Sequence, residues 1–211
     1  MKTLLALSRA IDALSERIGQ CVYWLVLATV VISAANATVR KVFNYSSNSF
    51  LEIQWYLFSA VFLFCAGYTL KHNEHVRIDI ITSRFSAKTR AGIDIFGTLF
   101  FLLPMAGLIA WLSWPVFMDA YTRNEVSTNA GGLTIWPARL LVPVGFGLLI
   151  AQAISELIKR VAFIRDLIPD PNEKLVTKTA EEELAEEILR ARSEKLLAAD
   201  SAAAQVAGAN K

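Results

Sequence analysis

LTIWPARLLVPVGFGLLIAQAIS, residues 133–155, is the stretch on which the reading of this chain turns. It is almost wholly apolar but carries one charge, Arg139. At about 1.5 Å rise per residue, some 20 apolar helical residues cross a hydrocarbon core of about 30 Å. An arginine at the centre of such a helix costs about 2.5–3.5 kcal/mol on the insertion scale. Leu133, Ile135, Leu140, Leu141, Val142, Val144, Phe146, Leu148, Leu149 and Ile150 stand against it. At about 0.3–0.6 kcal/mol each they offset that cost. Arg139 also lies only about two turns from the start, so its guanidinium reaches the interface. The segment therefore reads as a membrane span.

Three further segments fit the same description: Val22–Val39, uncharged; Phe50–Leu70, with Glu52 near its start; and Ile95–Met118, with Pro104 and Pro115 inside. The composition agrees, with 55% hydrophobic and 19% charged residues and a mean hydropathy of +0.43. Soluble domains run about 45–50% apolar and 25% charged. Two cysteines, Cys21 and Cys65, exclude a disulfide scaffold, and a net charge of +2 gives no field for nucleic acid. Backbone groups in lipid must be satisfied within the segment, so the expected fold class is all-α, an integral membrane bundle of four helices.

Lysines and arginines set the expected orientation. Lys2, Arg9 and Arg17 precede the first span; Lys71, Arg77, Arg84, Lys88 and Arg90 lie between the second and third; Lys159, Arg160, Arg165 and Lys174 follow the fourth. The opposite side has only Arg40, Lys41 and Arg123. The positive-inside rule then puts both termini in the cytoplasm. Trp55, Trp111, Trp114 and Trp136 fall near the outer interface and Trp24 near the inner one, as membrane-interface anchors.

Domain boundaries follow from composition. In residues 1–20, Leu4, Leu7, Ile11, Leu14 and Ile18 recur at helical spacing, with Arg9, Asp12, Glu16 and Arg17 off that face. This predicts an amphipathic helix lying in the interface and leading into the first span; its alternative is docking on a protein partner. Residues 21–168 form the four-helix membrane domain. Pro169 and Pro171 open a cytoplasmic tail, 169–211, acidic and helical over 181–195, then Ala-rich and disordered.

Chemistry is sparse. His72 and His75 are the only histidines and are placed in the loop after the second span, so no haem ligand lies inside a span. There is no CxxC, no phosphate-binding glycine loop and no catalytic triad pattern, so no metal, cofactor or enzymatic activity is expected. Glu52 and Arg139 both lie near the outer ends of their helices and are expected to pair. Asn36 and Thr38 are expected to bond other helices, and Asp94 to act as an N-terminal helix charge. The string HNEHVRID, residues 72–79, is the densest polar run outside the tail and reads as a partner or headgroup contact, or simply as a positive-inside loop.

Taken together, these elements resemble the small membrane subunit, the DctQ-like component, of tripartite ATP-independent periplasmic (TRAP) transporters. The residues that carry the resemblance are HVRID after the second span, Glu52-Ile-Gln-Trp55 opening the second, and Gly131-Gly-Leu-Thr-Ile-Trp-Pro137 followed by Arg139 and Pro143-Val-Gly-Phe146 in the fourth. That form is similar to the branch labelled for mannitol or chloroaromatic compounds. The resemblance spans roughly residues 15–165. It implies a bacterial inner-membrane protein acting with a large multi-span transport subunit, a periplasmic solute-binding protein and membrane lipid. It further implies sodium-coupled uptake of an organic acid or similar solute, in which this subunit is a scaffold. Glu52, Trp55 and Arg139 are the expected outer partner contacts, and His75, Arg77 and Asp79 the inner ones. Two other functions fit the composition: a self-sufficient four-span proton-coupled exporter using Glu52, and a membrane scaffold unrelated to transport.

Overall fold

A computed structural model of the chain describes residues 2–45, 47–72 and 85–169. Within them the fold is all-helical: α1 (Lys2–Phe43), α2 (Asn48–His72), α3 (Ala87–Gly97), α4 (Leu103–Thr122) and α5 (Trp136–Ile164). A π-helical turn, Thr98–Leu102, joins α3 to α4, so Ala87–Thr122 runs as one apolar rod. Four rods are long and apolar enough to cross a membrane. His75, Arg77 and Asp79, and the tail beyond Pro169, lie outside the described residues.

No proline precedes Pro104, which leaves α1 and α2 unbroken. At 42 residues, α1 is about 63 Å long, twice the thickness of a hydrocarbon core. The amphipathic segment and the first span are thus one continuous helix. The π turn has a local cause. Pro104 offers no N–H to the carbonyl four residues back, and its ring crowds that carbonyl. The widened turn accommodates this, with Leu103 N–H donating to Thr98 O instead.

Helix ends are closed by short polar residues. Asn44, Asn124 and Asp166 adopt left-handed φ values of 51°, 48° and 56°. After α4, Glu125 N–H reaches Ala120 O (3.0 Å); after α5, Leu167 N–H reaches Ala162 O (3.0 Å). These are six-to-one closures that satisfy otherwise orphaned carbonyls. At the N-terminus of α3, Ser86 caps the helix by accepting from Thr89 N–H (3.3 Å).

α1 and α2 form an antiparallel hairpin, and α5 packs against α1, α2, α3 and α4. Small residues permit this. A Cβ on Gly145 would stand 2.7 Å from Leu63 Cβ, so α2 and α5 touch almost backbone to backbone. The buried apolar set is chiefly alanine: Ala60, Ala91, Ala106, Ala120, Ala153 and Ala162, with Val22 and Phe117. Large apolar and aromatic side chains, such as Phe62, Phe101, Met105 and Trp111, turn outward. Close packing of small residues, with bulk facing outward, is the arrangement expected where lipid surrounds the bundle.

α1 shows the inversion most plainly. Leu4, Leu7 and Leu14 of its leucine stripe are exposed, whereas Ser8, Ser15 and Val22 are buried. The packed seam, Ser8, Asp12, Ser15, Gly19 and Val22, repeats at spacings of four and three, beside the leucine stripe. Thr38, expected to bond another helix, instead donates within its own, to Ala34 O (2.8 Å). A threonine hydroxyl finds the carbonyl one turn back more readily than a neighbouring helix.

Candidate functional site

Polar side chains gather at two ends of the bundle. At the loop end, residues 123–135 fold into a short ribbon: Ser127 N–H donates to Leu133 O and Ile135 N–H to Glu125 O, both at 2.9 Å. Gly131 supplies the φ of +71° that its turn requires. One face of the first turns of α2 holds this ribbon. Asn48 Nδ2 donates to Ala130 O (3.1 Å), Ser49 Oγ to Gly131 O, and Tyr56 OH to Thr134 O (3.2 Å).

Glu52 is the centre of that face and is only 4% exposed. Its carboxylate accepts from Leu133 N–H (2.7 Å), Asn129 Nδ2 (2.9 Å) and Ser127 Oγ. The expected Glu52–Arg139 pair does not form. Arg139 is engaged by Glu125, in a two-point contact at 2.5 and 3.0 Å. The ribbon brings Glu125 to the first turn of α5 and fills the oxygens of Glu52 with its own donors, so each charge is satisfied locally. Trp55 stands outward, away from this cluster. Trp136 packs edge-on against Tyr121, 5.6 Å between centroids. Trp24, Trp111 and Trp114 are exposed on the outer surface of the bundle.

The second cluster sits at the termini end, where α1 begins and α5 finishes. Asp12 accepts from Ser155 Oγ (2.8 Å) and Gln152 Nε2 (2.9 Å), and pairs with Lys159 at 3.2 Å. Lys159 also pairs with Glu156 at 2.5 Å. Ser15 donates to Gln152 Oε1, and the Ser8 and Ser155 hydroxyls meet, both at 2.7 Å. Glu16 pairs with Lys71 (2.5 Å) and lies 3.2 Å from His72 Nε2. His72 is the last residue of α2, not a loop residue, and lies 4.3 Å from the Tyr68 ring.

Asp94 is likewise not a free helix-terminal charge. It lies in the second half of α3 and pairs with Arg160 of α5, which is 3% exposed. Sequence reasoning missed this cluster. Its one legible signal was the small and polar seam of α1, which the more conspicuous leucine stripe hid.

Both clusters are structural in character: donors meet acceptors and charges meet opposite charges across helices. Among the described residues no three of His, Cys, Asp and Glu converge as metal ligands would. What the chain offers outward is an apolar, aromatic surface on four rods. Against this geometry, the sequence model of one family matches residues 29–163: tripartite ATP-independent periplasmic transporters, DctQ component. The chain belongs to the DctQ family. The match runs from the middle of α1 to the last turn of α5 and takes in both Glu52 and Arg160. It leaves out the first turns of α1, with Ser8, Asp12, Ser15 and Glu16. A DctQ component is the small membrane part of a TRAP transporter and works with a large DctM subunit and a periplasmic binding protein. Family and four apolar rods together make this DctQ chain a multi-pass inner-membrane protein. No curated protein and no solved structure matched it.

Proposed function

We propose that this chain is the stationary scaffold of a binding-protein-dependent secondary transporter, and that it holds the large subunit in the bilayer without itself carrying solute. One observation carries the scaffold reading. Glu52, the acidic residue best placed to move a cation or proton, is saturated by three donors from a loop of the same chain. A carboxylate so engaged fixes a loop; a coupling carboxylate needs room for its ion. This disfavours the self-sufficient exporter.

The finer reading follows the charge distribution and the family. Both termini are cytoplasmic, uptake is coupled to sodium, and the solute is an organic acid or a similar solute, in a system of the mannitol or chloroaromatic branch. Glu52 and Arg139 act on partners indirectly, by setting the 123–135 ribbon. Trp55, exposed on the outward face of α2, is the direct outer contact. His75, Arg77 and Asp79 remain the proposed inner contact.

The test is recovery of the tagged chain in mild detergent, with mass spectrometry of what accompanies it. A large polytopic membrane protein in about equal amount is the expected result, weakened by alanine at Arg77 or Asp79. A lone homo-oligomer with export activity of its own would overturn the proposal.

A further inference from the structure

An apolar groove of about 310 Å³ lies between the start of α1 and the end of α5, lined by Leu4, Leu157, Ile158, Val161 and Arg165. Its walls are almost wholly apolar, with Arg165 bordering it one turn beyond Val161. Arg165 is exposed and, among the described residues, has no ion pair. From Trp136, which opens α5, Arg165 is about 43 Å along the helix axis. That is the thickness of a bilayer with its headgroups, about 40–45 Å. Leu157, Ile158 and Val161 lie one to two turns nearer the apolar stretch of α5 than Arg165, so a phosphate held by Arg165 would leave its acyl chain on their side.

The charge balance of this end points the same way. Asp12, Glu16, Asp94, Glu156 and Asp166 are all held by lysine or arginine of the bundle. Arg9, Arg17, Arg90 and Arg165 have no carboxylate partner among the described residues. Among the described residues, the end of the bundle that holds the groove thus keeps several arginines without a carboxylate partner. Arginine matches phosphate oxygens with two parallel donors, and each basic residue near the surface favours an anionic lipid.

We infer that this groove is a binding site for an anionic phospholipid, with an acyl chain along Leu4, Leu157, Ile158 and Val161 and the phosphate on Arg165. Bound there, the lipid bridges the first turn of α1 and the last turns of α5, beside the Asp12–Lys159 seam. It thereby fastens the start of the first helix to the end of the last helix of the bundle.

Native mass spectrometry of the full chain tests this, with palmitoyl-oleoyl phosphatidylglycerol and phosphatidylcholine as probes. The chain is expected to retain phosphatidylglycerol in preference to phosphatidylcholine. Arg165→Gln lowers that retention about fivefold, and Arg165→Lys keeps most of it. Ile158→Trp, which fills the groove, removes phosphatidylglycerol while leaving Arg165 in place, and so carries the test if Arg165→Gln does not fold. Excess soluble glycerol phosphate leaves the lipid bound. Equal retention of both lipids, unchanged binding in Arg165→Gln or Ile158→Trp, or displacement by glycerol phosphate would each overturn the inference. So would a chain that loses the lipid when recovered with a protein partner, because protein then covers the groove.

Discussion

Replacing Glu52 by glutamine changes one atom's chemistry and tests what that residue is for. The carboxylate presents two oxygens: one takes Leu133 N–H at 2.7 Å, the other takes Asn129 Nδ2 at 2.9 Å together with Ser127 Oγ. A glutamine has a single oxygen, so whichever way the amide is turned, its NH2 faces a donor. The loss is a charge-assisted hydrogen bond at a buried position, about 1.5–3 kcal/mol. Opening of the 123–135 ribbon should then become roughly ten- to a hundredfold more frequent. Hydrogen exchange of the peptide spanning residues 123–135, followed by mass spectrometry, reads this directly. Arg139→Gln is the comparison. Its ion pair with Glu125 is about one-third exposed on each side, and such pairs contribute about 0.2–1 kcal/mol, so exchange should rise severalfold at most. Exchange in Glu52→Gln equal to that of the unaltered chain would refute the loop-fixing role. A variant that kept the ribbon protected yet lost transport would point to a titrating carboxylate.

Asp94→Ala should destabilise the chain by about 3–5 kcal/mol, because it strips a carboxylate from Arg160, which is 3% exposed; Asp94→Leu with Arg160→Met should recover most of that loss. Unfolding midpoints in detergent measure both, and equal midpoints for the single and double variants would contradict the pairing. Gly145→Val forces a side chain against Leu63 and should cost about 1–3 kcal/mol, whereas Gly147→Ala, with nothing within 4 Å, should leave the midpoint nearly unchanged.

The four rods were legible because their apolar length exceeds anything a soluble fold needs, and Arg139 yields to the arithmetic of its neighbours. The partners of the charges were not legible. Glu52 and Arg139 share a depth, and depth alone suggested a pair. The ribbon that separates them depends on a turn at Gly131 and on Glu125 returning to α5, which no local pattern announces. On α1 the hydrophobic stripe is the stronger periodic signal, and in water it would be the packed face. In the structure the weaker stripe, Ser8, Asp12, Ser15 and Gly19, is the one that packs on α5 and α2, while Leu4, Leu7 and Leu14 stay exposed. Asp94 was misread for a related reason: its partner Arg160 lies 66 residues further on, beyond any helical repeat.

The place of α5 in the chain has a consequence for biosynthesis. It is the last helix of the bundle to leave the ribosome, and it supplies Gln152, Ser155, Lys159 and Arg160, to which α1 and α3 are fastened. Until it arrives, Asp12 and Asp94 wait in an unfinished assembly with those partners still to be made. A chain that stalls before residue 152 therefore leaves the carboxylates of Asp12 and Asp94 without the partners that α5 supplies in the completed bundle.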